Sequence, residues 1–105
     1  MKTIPVSMVR VYLTEEEGLL KRVLNYLHDQ ACVGGVTVFR GVTGFGHSGK
    51  MHSSTLMDLS LDLPVVVEFF DDPERIDTIV RALDGIVEPG HIVCWPARVR
   101  VKDAQ

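Results

Sequence analysis

Two apolar segments, Val36 to Thr43 and Leu61 to Phe70, bracket a polar connection that carries Gly41, Gly44, Gly46 and Gly49. Both segments are rich in β-branched and aromatic residues and read as strands. A hairpin closes with about two to five residues. The connection here, roughly residues 44–60, is far longer than closure requires. Long connections between short elements tend to carry function, so this loop is the first place to look for it.

The strands flanking the loop set a second constraint. Val65, Val66 and Val67 are consecutive, so both faces of their strand are apolar. Val36 and Val38 share one face and Phe39 takes the other; Ile92, Val93, Cys94 and Trp95 are again apolar on both sides. Strands of this kind are buried on both faces. Two short helices cannot cover both, which predicts a closed homo-oligomer that packs its sheets together.

The remaining elements follow from periodicity and punctuation. Ile4 to Leu13 reads as a strand. Thr14 can cap a helix, with Glu17 completing a capping box. Leu20, Val23, Leu24, Leu27 and Ala31 recur at the spacing of one buried helical face, and Gly34 and Gly35 are expected to stop that helix. Asp72 and Pro73 open a second helix. Its apolar stripe is Ile76, Ile79, Val80 and Leu83, and Gly85 ends it. A last strand spans about His91 to Val101, and residues 102–105 read as a mobile tail. The order βαββαβ predicts an α+β, ferredoxin-like sandwich in a single domain over residues 1–105.

The bulk numbers exclude several classes. A net charge of −3 offers nothing to a nucleic-acid backbone. No apolar run approaches the roughly 20 residues that would span a bilayer. Pro5, Ser7 and Arg10 interrupt the apolar N-terminus, which lacks a signal-peptide layout. A cytoplasmic protein is expected, with Cys32 and Cys94 as reduced thiols because they match no CxxC spacing. No serine or cysteine stands in a nucleophile motif and no carboxylate pair is placed for acid–base work, so a catalyst is not expected.

The glycine-bearing segment GFGHSG is neither a Walker A loop nor a dinucleotide fingerprint: Gly49-Lys50-Met51 lacks the hydroxyl residue after lysine, and no helix follows. Its glycines can bring backbone amides close to an anion, or can simply form a flexible turn. His47, His52, His91 and Cys94 form a loose candidate metal set, the alternative being solvent-facing histidines and a packed thiol. Arg98 and Arg100 share one face of a strand and read as an anion-binding pair or as a solvated edge, with Arg40 as a further cation. Glu68 and Asp71 read as structural or interfacial, and Trp95 as core or interface.

Together the βαββαβ order, Gly44-Phe45-Gly46 at the exit of the second strand, the loop from His47 to Leu59, Leu63-Pro64 opening the third strand and Arg98-Val99-Arg100 in the last one resemble the PII signalling proteins over nearly the whole chain. The wording RGVTGFGHSGKMHSS…LMDLSLDLPVVVEFFD is closer to a PII-like branch catalogued as domain of unknown function one hundred and ninety. The resemblance implies a homotrimer that binds an adenine nucleotide in clefts between subunits. The clefts would be framed by Arg40, Gly44, Phe45, Gly46, His47, Gly90, His91, Arg98 and Arg100. The loop residues Ser48, Gly49, Lys50, Met51 and His52 would touch a partner such as a membrane transporter, a channel or a metabolic enzyme. Three departures bear on this expectation. Where PII proteins show a turn like G-D-G-K, this chain has Glu88-Pro89-Gly90-His91; Val65 replaces the lysine after the LP motif; and the shorter loop has no tyrosine to modify. Losing two cations weakens the hold on a triphosphate, which points to a less charged nucleotide or another ligand.

Overall fold

The computed structural model describes residues 1–14, 18–45, 51–53 and 63–103. Strand β1 spans Lys2–Thr14, helix α1 spans Leu19–Asn25 and runs on as a π-helical segment over Tyr26–Gln30, and β2 spans Val36–Arg40. Short strands β3 (Thr43–Phe45) and β4 (Met51–Ser53) follow, then β5 (Pro64–Asp71), helix α2 (Pro73–Leu83) and β6 (Ile92–Val101). The main sheet is antiparallel in the order β2-β5-β1-β6. This is the ferredoxin-like arrangement expected from the element order.

The sheet's pleat sorts its residues onto two faces. Val9, Val11 and Leu13 of β1 lie opposite Phe69, Val67 and Val65 of β5. These residues, with Val23, Leu27 and Ala31 from the first helical segment and Ile76, Ile79 and Leu83 from α2, form the buried core. Among the described residues, no helix covers the other face. There Tyr12, Phe39, Phe70 and Val93 are each more than 40% exposed. Both valine faces anticipated for β5 are present, with Val65 and Val67 in the core and Val66 on the open side. No helix among the described residues is long and apolar enough to cross a membrane.

Local structure departs from expectation at four points. Thr14 does not cap α1: it is the last residue of β1, paired with Pro64, and the helix instead starts after Gly18 in a left-handed conformation (φ 69) with no side-chain cap. The partner expected for it, Glu17, lies outside the described residues. The end of the first helical segment does not use Gly34 or Gly35 either. The Ala31 N–H donates to the Tyr26 carbonyl at 2.9 Å and the Val33 N–H to the Leu27 carbonyl at 3.1 Å, a widened last turn. The left-handed residue that reverses the chain is Cys32, at φ 54. The second strand ends at Arg40, not Thr43, and β3 begins a separate hairpin with β4. Finally, the tail is tied at Asp103, whose carboxylate lies 3.2 Å from the N-terminal ammonium, an exposed pair of little energetic weight.

Helix α2 starts as its sequence dictates. The Asp72 carboxylate accepts the Glu74 N–H at 2.9 Å and Pro73 occupies the first turn. Arg75 then fastens three elements together: it donates to the Asp71 carboxylate at 2.8 Å and to the Ala31 carbonyl at the end of the first helical segment. That carbonyl is one of the acceptors a helix end leaves unpaired.

A left-handed non-glycine residue carries roughly 1 kcal/mol of steric cost that glycine does not. Cys32→Gly is therefore expected to raise stability by about 0.5–1 kcal/mol in urea unfolding, while the β-branched Cys32→Val lowers it by about 1 kcal/mol or more.

Candidate functional site

The candidate ligand residues fall at two opposite ends of the sheet. At one end β2 runs into the hairpin and β6 begins. The Gly41 N–H donates to the Pro64 carbonyl at 2.8 Å, which turns the chain out of the main sheet. Thr43, Gly44 and Phe45 then pair with Ser53, His52 and Met51. What reads in sequence as an uninterrupted loop thus has a stranded base. Phe45 is 70% exposed at that base. Arg40, on the same face as Val36 and Val38, closes β2 just before it. Gly46, His47, Ser48, Gly49 and Lys50 lie outside the described residues, and Met51 and His52 are described in their backbone alone.

Across the same end, the turn into β6 uses Pro89 and Gly90, the latter at φ 88. Proline followed by a left-handed glycine is the pair a type II turn favours, so Gly90 is required by its backbone. The turn sets His91 against β1. The Tyr12 N–H donates to the His91 carbonyl, and the His91 Nδ1 lies 2.8 Å from the Tyr12 carbonyl. A carbonyl only accepts, so Nδ1 carries the hydrogen, and in the tautomer with a single ring hydrogen Nε2 is the acceptor. From β2 to β6 is three strand spacings, about 14 Å.

Arg98 and Arg100 belong to the other end. They pair with Pro5 and Thr3 near the start of β1. At about 3.4 Å per residue, they lie about 24 and 30 Å along β6 from His91. Here β1 and β6 run beyond β5, whose pairing stops at Ser7 opposite Asp71. The result is a projecting two-stranded ribbon. Its two faces differ: Ile4, Val6, Ala97 and Val99 lie on one, Thr3, Pro5, Arg98 and Arg100 on the other. The two arginines do share a face, as their spacing predicts. A single protomer does not bring them to the glycine-bearing end.

The remaining candidates are also placed. Val65, at the position where the resemblance would have a lysine, is 1% exposed in the core. Asp71 is structural, held by Arg75. Glu68 and Trp95 lie on the open face with Arg10, whose Nε donates to the Glu68 carboxylate at 2.8 Å and whose guanidinium sits 5.5 Å over the Trp95 ring. Hydrogen bonding to Glu68, then to Tyr12, raises the Arg10 pKa above its ordinary value. Arg10 is a residue that sequence reading misses, because only the β1–β5 register sets it opposite Glu68. Cys94 lies on the helix-bearing side, where partial burial first and Asp77 second raise its thiol pKa, making it a poor thiolate near neutrality. Among the described residues no group of three or more His, Cys, Asp or Glu side chains could hold a metal ion.

Comparison with known proteins fits this architecture. Residues 6–99 match the DUF190 family, described as an uncharacterized ACR. A UPF0166 protein of Aquifex aeolicus is 30% identical over 89 residues, covering 81% of this chain and 85% of the relative. Among solved structures, CPII from Thiomonas intermedia K12, bound to ADP and bicarbonate, is 22% identical with a TM-score of 0.63, covering 95% of this chain and 91% of that one. The divalent ion tolerance protein CutA1 from Ehrlichia chaffeensis is 9% identical with a TM-score of 0.61, covering 93% of this chain and 84% of that one. The shared fold is PII-like, and similarity at this level does not by itself choose between a nucleotide and a metal as ligand.

The hairpin base makes a steric prediction. A Cβ on Gly41 would stand 2.7 Å from Cγ of Pro64, whereas one on Gly44 would meet the same atom at an ordinary 3.5 Å. Gly41→Ala is expected to cost about 1–3 kcal/mol by overpacking against a rigid ring. Gly44→Ala should stay within about 1 kcal/mol of wild type. Urea unfolding of the two variants checks the contrast.

Proposed function

The chain belongs to the DUF190 family, and from that premise we propose that it is a PII-like regulatory protein: a cytoplasmic homotrimer that binds an adenine nucleotide between its subunits and signals to a protein partner through the connection between β2 and β5. It acts as a sensor and not as a catalyst.

The observation that carries this reading is the separation of the candidate groups. Gly44, Phe45, Gly90 and His91 stand at one end of the protomer and Arg98 and Arg100 at the other. One chain folded on itself cannot close a cleft around both. In a cyclic assembly the ribbon end of one subunit meets the glycine-bearing end of the next, a heterologous contact that closes into a ring. The uncovered apolar sheet face supplies the burial that such a ring needs.

Within the cleft, Arg98 and Arg100 would hold phosphate oxygens by charge-assisted hydrogen bonds. The Nε2 of His91, kept as an acceptor by the Tyr12 carbonyl, can take a hydrogen bond from an exocyclic amine. Gly46 and His47, the two residues after Phe45 in sequence, and Arg40 would complete the frame. His91 stands where PII proteins have lysine, and Val65 is buried in the core, so fewer cations face the phosphates. ADP or AMP therefore fits better than ATP. The relative CPII is bound to ADP and bicarbonate, which supports the same ligand class. Ligand binding would change the surface that the connection, Ser48 to His52 included, offers to a transporter, channel or metabolic enzyme.

A subunit-mixing experiment tests the shared cleft. Arg98→Ala/Arg100→Ala and Gly90→Val/His91→Ala chains should each lose ADP binding by at least about tenfold in calorimetry. When the two chains are co-assembled, random mixing in a ring joins intact ends at about a quarter of the clefts, so that fraction of sites should recover. Recovery of no sites would contradict a cleft built by two subunits.

A further inference from the structure

The first helical segment carries a polar stripe beside the one that enters the core. Val23, Leu27 and Ala31 are buried, whereas Arg22, Asn25, Tyr26 and Asp29 recur at the i, i+3, i+4 and i+7 spacing of a different face. With Gln30 they form one wall of a cleft of about 420 Å³, and Ala82 of α2 and Ile86 just beyond it form the other. Small-ligand clefts run from about 300 to 1,000 Å³, so the space suits one small molecule. Both walls are fixed by the fold. The Ile86 N–H donates to the Leu83 carbonyl at 2.8 Å, the Ala31 N–H to the Tyr26 carbonyl at 2.9 Å, and Tyr26 and Ile86 also pack against the core. The cleft shares no residue with the proposed nucleotide site.

We propose that this cleft binds a short zwitterionic peptide, of the size of a dipeptide. Its basis is charge complementarity. Arg22 and Asp29 put one cation and one anion on the same wall, about 10 Å apart along the helix axis. An extended dipeptide spans about 7 Å, and the two flexible side chains close the difference. The planar guanidinium of Arg22 takes the terminal carboxylate in a bidentate grip, and the Asp29 carboxylate takes the terminal ammonium. Asn25 and Gln30 lie between or beside them, and each side-chain amide offers both a donor and an acceptor to the peptide group. The ring of Tyr26, with Ala82 and Ile86, gives the peptide side chains an apolar surface. A single α-amino acid carries its two charges on neighbouring groups and cannot reach both ends.

Helix stability does not account for these residues. Asp29 stands in the last turn of a segment that ends at Gln30, where a carboxylate meets the negative end of the helix dipole. Its Oδ1 pairs with His28 at 2.7 Å, but both side chains are exposed and such a pair contributes little. Arg22 has no ion-pair partner among the described residues. The same stretch also departs from α-helical geometry, with Tyr26–Gln30 wound as a π-helix. Hydrogen bonding of this wider kind is rare and recurs at functional sites, and here it coincides with the cleft wall. Two charges set against or apart from the needs of the helix, facing a rigid second wall, are what a ligand of opposite polarity requires.

NMR titration of the isotope-labelled full-length chain tests the proposal, with alanyl-leucine, its N-acetyl derivative and its C-terminal amide as probes. Alanyl-leucine should shift the amide signals of residues 22–30 and 82–86 saturably, and each capped derivative should bind at least about threefold more weakly because one charge pair is lost. The variants then assign the ends. Arg22→Gln should weaken alanyl-leucine by at least about threefold and leave the C-terminal amide unchanged. Asp29→Asn should weaken alanyl-leucine by a similar factor and leave the N-acetyl derivative unchanged. Both positions are exposed, so urea unfolding of the two variants should match wild type. An absence of saturable shifts at these residues, capped derivatives that bind as tightly as the free dipeptide, or variants that lose all three probes alike would overturn the proposal. ADP binding by the same variants should be unchanged, so failure here leaves the nucleotide reading standing.

Discussion

Both helices pack on one side of a four-stranded sheet whose other side is also apolar. That asymmetry governs the rest of the molecule. The helix-bearing side closes a conventional core of Val9, Val11, Val67 and Phe69 under Leu27, Ile79 and Leu83. The opposite side leaves Tyr12, Phe39, Phe70 and Val93 in water. Apolar surface in water is unfavourable in proportion to its area, so the protomer carries a standing drive toward association. The Arg10–Glu68 pair sits inside that surface as its polar centre, already satisfied within the chain.

The proposed site follows from the same geometry. Strands β1 and β6 outrun their neighbours and carry Arg98 and Arg100 away from the glycine-bearing end. In the proposed reading, burial and ligand binding are two consequences of one arrangement: the assembly that covers the open face would also bring the two ends together. The connection between β2 and β5 leaves the sheet at the same end as His91, through a hairpin anchored on Pro64. A ligand held at that end would act directly on the base of the connection.

Much of this was legible in the chain. The period-2 and helical patterns located the main strands and both helices, and the valine triplet 65–67 predicted two apolar faces before any register was known. What was not legible depended on geometry that is not local. Thr14 carries good capping chemistry but is drawn into β1 by pairing with Pro64. Gly34 and Gly35 are the expected helix stops, yet the widened π-helical turn moves the left-handed position onto Cys32. The resemblance implies a cleft between subunits that joins Arg98 and Arg100 to Gly90 and His91, but only the β1–β6 register shows how far apart a single chain holds them. The ion pair of Arg10 with Glu68 joins residues 58 positions apart in sequence, and no local pattern marks it.

The central claim is that the ligand site exists only where two subunits meet. The most direct measurement follows fluorescent ADP binding and oligomeric state together through a protein dilution series, with fluorescence-detected sedimentation reporting both. The account predicts that bound ADP disappears over the same concentration range in which the oligomer dissociates, and that added ADP shifts that range to lower protein concentration by linkage. A dissociated monomer that retains undiminished affinity for ADP would contradict it.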